Sequence, residues 1–181
     1  MKSFLIRATL AGLCALSLSA CIDSTGPILT GAQPVLGPRL NLQLYTLHKG
    51  VAEEPEKVQF AWKGKVYSRS GGGMKDVGAI TVHPFEAGNY ILQSMPVRQP
   101  QKVEYALLHP LASGAYLVIA IDEADADEAV RAANCTHPGG TACRIETRDQ
   151  LFAMARATAA KHRNEGGLAL RLPDTPAKRR H

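Results

Sequence analysis

Two copies of one short motif decide how the strands of this chain are connected. The first copy is His83-Pro84-Phe85-Glu86-Ala87-Gly88-Asn89-Tyr90, and the second, 26 residues later, is His109-Pro110-Leu111-Ala112-Ser113-Gly114-Ala115-Tyr116. Proline ends a strand because it lacks an N–H donor, and glycine permits the positive φ angle of a tight turn. The tyrosine, followed by two aliphatic residues, then begins the next strand. We therefore predict two similar corners of one antiparallel meander, with a diverged duplication as the alternative.

Alternating apolar and polar residues extend this meander along the chain. The alternation is clear in segments 40–44 and 58–62, where it is typical of strands with one buried face. Lys63-Gly64 is placed for a two-residue hairpin, and Trp62 and Tyr67 beside it are expected to be a core pair. The glycine-rich segment 68–76 is expected to be a flexible loop. The remaining predicted strands are 65–67, 77–83, 88–95, 102–109 and 114–121, with a Gly or Pro in each connection.

A helical pattern replaces the alternation after residue 121. Asp122 can cap a short acidic helix that runs toward residue 134, because carboxylates in the first turn oppose the helix dipole. After a brief strand at 143–146, Thr147 and Gln150 match the capping box of a second helix that ends at 164–167. An edge strand is expected at 168–172. The predicted fold class is α+β: an antiparallel β-meander with a short acidic helix and a packed C-terminal helix. Whether the meander forms a partly closed barrel is left open.

The first 21 residues carry a targeting signal. Lys2 and Arg7 begin it, and an apolar run of 11 residues, 8–18, follows; this run is too short to cross a hydrocarbon core of about 30 Å. The next residues complete Leu18-Ser19-Ala20-Cys21, which resembles the lipobox of bacterial lipoproteins. The resemblance implies that diacylglycerol is attached to the Cys21 sulfur, that the chain is cut between Ala20 and Cys21, and that the new amine is acylated. The alternative is an ordinary cleaved signal with an incidental cysteine.

The same resemblance implies a location and a domain organisation. Three acyl chains would hold the protein on a membrane of the bacterial cell envelope. Ile22, rather than Asp, follows the cysteine, which implies the outer membrane, facing the periplasm, rather than the inner membrane. The expected parts are a signal peptide (1–20), the lipidated Cys21 with a Gly/Pro-rich tether (21–39), one globular domain (40–172) and a basic disordered tail (173–181).

The resemblance also assigns the cysteines. Cys14 would leave with the signal and Cys21 would carry lipid, so Cys135 and Cys143 remain and should form a disulfide in an oxidising compartment. A metal site with His137 and a redox pair are the alternatives. Seven residues between the two cysteines fit neither the usual zinc spacing nor CxxC chemistry.

Charge and composition give no reason to expect a nucleic-acid partner. Cleavage would remove two of the 21 Lys and Arg residues and leave 19 against 16 acids, a net charge of about +3. The terminal Lys178-Arg179-Arg180 is predicted to be a disordered tail, although it could contact anionic headgroups or an acidic partner.

No residue pattern indicates catalysis. Ser68 and Ser70 lack a nearby acid and base, and the segment 122–128 lacks the loop glycine and distal glutamate of a calcium-binding EF-hand. Three of the four candidate zinc-ligating histidines precede proline, a position typical of a strand end. The candidates are His48, His83, His109 and His137. Glu53, Glu54 and Glu56 are interpreted as a solvated turn.

These observations favour a non-catalytic binding or assembly module that contacts the membrane through its acyl chains and engages an envelope protein partner. We assign it no catalytic residue, cofactor or metal. Two alternatives remain: a hydrophobic-ligand carrier, which would need a closed barrel, and a periplasmic hydrolase or metal-dependent enzyme that uses His83 and His109 with loop 68–76.

Overall fold

The structure, a computed structural model of the 181-residue chain, describes residues 22–45, 47–48, 51–52, 54–72, 77–98, 102–111, 114–136, 143–162 and 167–173. Its strands are β1 (Asp23–Ser24), β2 (Arg39–Tyr45), β3 (Leu47–His48), β4 (Val51–Ala52), β5 (Glu56–Trp62), β6 (Tyr67–Gly72), β7 (Val77–Pro84), β8 (Tyr90–Pro96), β9 (Val103–Pro110), β10 (Ala115–Ala120) and β11 (Gly167–Arg171). The helices are α1 (Glu128–Asn134) and α2 (Arg148–Lys161). Within these ranges, no helix has the length and apolar character that crossing a membrane requires.

Eight of the strands form a closed antiparallel barrel. The order around it is β2, β5, β6, β7, β8, β9, β10 and β11, which is the order along the chain. The strand β11 closes the ring, because Leu168 pairs with Leu117 of β10 on one side and with Tyr45 of β2 on the other. The predicted antiparallel meander is therefore present. The prediction of an edge strand at 168–172 is wrong, since β11 has a partner on both sides.

The segment 22–38, expected to be part of a tether, packs against the barrel. Ile22, Leu29 and Leu36 are all buried, and β1 pairs with the start of β9. The backbone of Leu29 exchanges two hydrogen bonds with the buried amide of Gln93 on β8, each 2.9 Å long. For residues 22–39 the tether prediction is wrong. A 2.7 Å bond from the Gly37 N–H to the Pro34 carbonyl closes a turn. Ile22 and Leu29 pack on the outside of the barrel, and Leu36 packs into its interior.

Two apolar clusters stabilise the fold, one on each face of the sheet. The inner cluster receives side chains from all eight barrel strands, so it fills the interior; its fully buried members include Leu40, Val58 and Tyr67. The outer cluster lies between β8–β10 and α2. Successive residues of β10 alternate between the clusters, as Leu117 is in the outer one and Val118 packs against the inner one.

The two motif copies form equivalent corners. In the first, the Phe85 N–H donates to the Asn89 carbonyl at 2.8 Å, and in the second the Leu111 N–H donates to the Ala115 carbonyl at 2.8 Å. Each corner has a glycine at positive φ, Gly88 at 78° and Gly114 at 75°. The prediction of two similar corners is confirmed.

The segment 68–72, expected to be part of a loop, belongs to strand β6. Gly72 has φ 85°, and a Cβ atom on it would lie 2.2 Å from the Lys57 carbonyl oxygen. The glycines therefore allow close approach to β5, opposite a register shift at Gln59/Phe60. The hairpin from β5 to β6 is also longer than predicted. Trp62 pairs with Tyr67, so its turn has four residues, 63–66. The remainder of the predicted loop, 73–76, lies outside the described residues.

The helical region differs from the prediction at its first helix. Asp122 caps only the 3-10 turn Glu123–Asp125, because Ala126 is extended and ends that turn. Asp127 then caps α1 with a bond from the Val130 N–H. The capping box of α2 is confirmed, although this helix ends at Lys161.

The strand predicted at 143–146 is not formed. Arg144 makes only an isolated parallel bridge with Asp23.

Candidate functional site

The predicted lipidation and cleavage residues, Ala20 and Cys21, lie outside the described residues. So do Glu53, His137, the side chain of His48 and the tail residues Lys178-Arg179-Arg180.

Two other predicted pairs are present in the structure. Cys135 and Cys143 form a disulfide with a Cα–Cα distance of 5.1 Å. Trp62 and Tyr67 are in edge-to-face contact with ring centroids 4.9 Å apart, and Tyr67 is fully buried, which confirms the core pair.

His83 and His109 have separate hydrogen-bond partners. His83 is buried on the outer face of the barrel, where its Nε2 lies 3.0 Å from the Thr81 hydroxyl and 3.2 Å from the Gln93 amide nitrogen. Burial, with a smaller contribution from the charge of Arg148, lowers the pKa of His83 below its usual 6.5. His109 instead contacts the Asn89 side chain at 2.6 Å.

Among the described residues, one group of three potential metal ligands lies within 4.8 Å, and it contains no histidine. It consists of Glu123, Cys135 and Cys143. Because the two sulfur atoms are bonded to each other, neither is a thiolate that could bind a metal.

A groove between the two helices is the candidate functional site. This helical groove has a volume of about 610 Å³. Its apolar residues are Val130 on α1 and three alanines on α2, and its polar residues are two acids and two bases. The complete set is Asp125, Asp127, Val130, Ala153, Arg156, Ala157, Ala160 and Lys161. None of these eight residues carries a hydroxyl, thiol or imidazole group that could act as a nucleophile.

Asp125 is the most constrained acid of the helical groove. Its side chain is 4% exposed, and its Oδ1 accepts a hydrogen bond from His162 Nε2 at 2.6 Å and contacts Lys161 Nζ at 3.2 Å. Lys161 also donates to the Ala124 carbonyl at 2.9 Å. The second oxygen, Oδ2, is the one buried polar side-chain atom of the described residues that has no hydrogen-bond partner. A buried acceptor left in this state costs free energy.

Arg156 joins the helical groove to the first corner. Its Nε donates to both carboxylate oxygens of Glu86, at 2.9 and 3.0 Å. This bidentate contact lowers the pKa of Glu86 and raises that of Arg156, because each charge favours the other. Nearby, the rings of Phe85 and Phe152 are in edge-to-face contact at 5.0 Å. The corner and α2 therefore position the basic wall of the groove together.

Sequence reasoning placed Asp125 in the predicted short acidic helix and found no EF-hand pattern in the segment 122–128 around it. Its partner His162 is 37 residues away, so no local pattern links the two. The sequence did contain one indication of an open groove: the alanines of α2 at positions 153, 157 and 160 are spaced to lie on one face of the helix.

No family model, curated protein or solved structure matches this chain. The assignment of function therefore depends on the residues of the chain itself.

Proposed function

We propose that the chain is a membrane-anchored lipoprotein of the bacterial cell envelope, most consistent with the outer membrane, and a non-catalytic binding or assembly module facing the periplasm. The supporting observation is the Leu18-Ser19-Ala20-Cys21 motif, which follows a basic start and an apolar run of 11 residues. Ile22, directly after the cysteine, is buried against the domain, so a lipid on Cys21 would be joined to the domain without a linker.

The substitution Cys21→Ala tests the anchor. Without the sulfur, no diacylglycerol is attached, and the protein should move from the membrane fraction to the soluble periplasmic fraction. Mass spectrometry of the wild-type N-terminus should find the acylated cysteine. If the variant stays in the membrane fraction, the lipoprotein proposal is wrong.

The helical groove is the proposed partner-binding surface. Alanines line its apolar part, which leaves room for the side chains of a partner segment, and charged groups of both signs flank it. The bases of the lining are engaged in ion pairs, Lys161 with Asp125 and Arg156 with Glu86, which favours binding over nucleophilic catalysis. The partner we propose is an apolar segment of an envelope protein, whose backbone or side-chain N–H groups can donate to the exposed carboxylate of Asp127.

Photocrosslinking in living cells tests this surface. A photoreactive amino acid at the exposed Ala160 should yield an adduct with one envelope protein, whereas the same residue at the exposed Lys63, in the hairpin from β5 to β6, should yield none. Filling the groove by Ala157→Trp should abolish the Ala160 adduct. Equal crosslinking from both sites, or an adduct that survives Ala157→Trp, would exclude the groove as the binding surface.

A hydrophobic-ligand carrier is the second candidate, and the closure of the barrel favours it. Barrels of eight strands either pack their interior with side chains or hold one small ligand. Here Leu40, Val58 and Tyr67 are fully buried in the inner cluster, which favours the packed form. Native mass spectrometry of the protein purified from membranes distinguishes a packed barrel from a ligand-binding one. One copurified lipid molecule per chain would support the carrier function.

A further inference from the structure

The proposed lipid attachment point is one residue from the wall of the barrel. Ile22 is fully buried, and its N–H donates to the Ile121 carbonyl at 3.3 Å. Because Cys21 is joined to Ile22 by one peptide bond, a lipid on its sulfur would be attached one residue before this buried position. Acyl chains on Cys21 would therefore hold the barrel at the membrane surface, without a spacer.

The anchor lies at one identifiable end of the barrel. Ser24 pairs with Val103, the first residue of β9. The chain that precedes β9 contains Val97, which follows the end of β8 and is 54% exposed. Val97 also lies beside the start of β7, since a Cβ atom on Gly78 would be 3.2 Å from its Cγ2. We call this end, with Ile22–Ser24, Val97, Arg98 and Lys102, the anchor end.

Charged groups lie beside the first strand, β1, at the anchor end. Lys102 Nζ lies 3.5 Å from Asp23 Oδ2 and 3.8 Å from Glu104 Oε1, and Arg144 Nε lies 3.9 Å from Asp23 Oδ1. The exposed Arg98 follows β8 at the same end, so this end carries three cations, of which Lys102 and Arg144 lie within 3.9 Å of a carboxylate. The long side chains of Lys and Arg can reach headgroup phosphates while their stems lie on apolar surface.

We propose that the anchor end rests on the headgroup layer of the membrane that holds Cys21, with Val97 at the lipid interface and the opposite end of the barrel facing the periplasm. This inference rests on the proposed lipidation. It specifies lipid headgroups as a contact partner of the folded domain in addition to the acyl chains. The helical groove, carried by the helices outside the barrel, remains a separate surface for a protein partner.

Fluorescence quenching by spin-labelled lipid tests the orientation. The chain has one tryptophan, so Trp62→Phe provides a background in which a single reporter is added as Val97→Trp or Leu111→Trp. Leu111 is the matched control, because it is 41% exposed and follows the other end of β9. In vesicles of phosphatidylcholine and phosphatidylglycerol with a spin label high on the acyl chain, we expect roughly twofold quenching at position 97 and little at position 111. Equal quenching at both positions, or none at 97, would overturn the proposal.

Attaching a lipid to Cys21 chemically allows the orientation to be tested independently of lipidation in cells. In the chain that begins at Cys21, the other two cysteines form the disulfide, so Cys21 alone can react with a maleimide lipid. Its thermal unfolding midpoint should match that of the protein purified from membranes. With the anchor supplied in this way, failed acylation in cells would refute the proposed function without affecting the quenching result.

A linker variant tests why the orientation exists. A flexible insert of 20 residues between Cys21 and Ile22 would allow a separation of about 25 Å. We expect the insert to abolish quenching of the Val97→Trp reporter, because the short connection holds the anchor end at the bilayer. Undiminished quenching with the insert would contradict the role of that connection.

Discussion

Gln93 holds Leu29 on the outside of the barrel through two hydrogen bonds. The Leu29 N–H donates to Gln93 Oε1, and Gln93 Nε2 donates to the Leu29 carbonyl, both at 2.9 Å. The side chain thus pairs with an irregular segment as a neighbouring strand would. Gln93 is fully buried, so the amide has no access to water as an alternative partner.

Replacing Gln93 by leucine should destabilise the protein. The substitution leaves two buried backbone groups of Leu29 without partners, at a cost of roughly 2–4 kcal/mol in the free energy of unfolding. Urea unfolding measures this loss. The control Gln59→Leu alters an exposed strand position and should change the free energy by less than about 0.5 kcal/mol. Similar losses in the two variants would contradict this role of Gln93.

The free energy of unfolding should decrease as the pH falls below about 6.5, the usual pKa of histidine, and His83 should contribute to this decrease. Burial lowers the pKa of His83, so the unfolded chain takes up a proton at about pH 6.5 while the folded chain does not. The contribution of His83 is therefore complete above that pH and is lost as the pH falls from it toward the folded-state pKa. Urea unfolding at pH 7.5 and pH 5.0 should show a smaller difference for His83→Gln than for the wild type. An unchanged difference would exclude His83 as a source.

Gly72→Ala should be one of the most destabilising glycine substitutions. Its Cβ would lie 2.2 Å from the Lys57 carbonyl oxygen, at a φ of 85° that L-residues rarely adopt. We expect a loss of about 2 kcal/mol or more, measured by thermal or urea unfolding. Gly26→Ala is the matched control, because nothing lies within 4 Å of its Cβ, and it should be nearly neutral. Equal effects would show that β6 does not pack closely against β5.

The disulfide should stabilise the protein by constraining the unfolded chain. The bonded residues are eight positions apart, and the chain-entropy relation gives about 2–3 kcal/mol for a loop of this size. Cys135→Ser/Cys143→Ser should lower the unfolding midpoint as much as reduction of the wild type does. Alkylation without reductant should leave both cysteines unmodified. Labelling of both would show that the bond is absent.

The antiparallel strands and the caps could be predicted because their signals are local. In β2 and β5, alternation of apolar and polar residues specifies a strand with one buried face. The capping box of Thr147 and Gln150 acts within one helical turn, and the proline and glycine of each corner act within six residues. These interactions need no knowledge of distant segments.

Composition gave the wrong prediction for two segments in which the contacts that fix the backbone come from residues distant in the sequence. The Gly and Pro content of segment 21–39 predicted a tether, but Gln93 pairs with the backbone of Leu29, and the two apolar clusters bury Ile22, Leu29 and Leu36. Glycines 71 and 72 predicted a loop, whereas the close approach of Lys57 requires one of them inside a strand.

The sequence by itself determined the meander, its two equivalent corners, the second helix and the motif ending at Cys21, since each depends on residues that are near neighbours in the chain. Only the tertiary structure decided that the meander closes, because closure requires β11 to meet β2 across most of the domain. It also decided that Asp125 and His162 meet at one end of the helical groove. Such contacts depend on how distant elements pack, and packing leaves no short-range periodicity in the sequence.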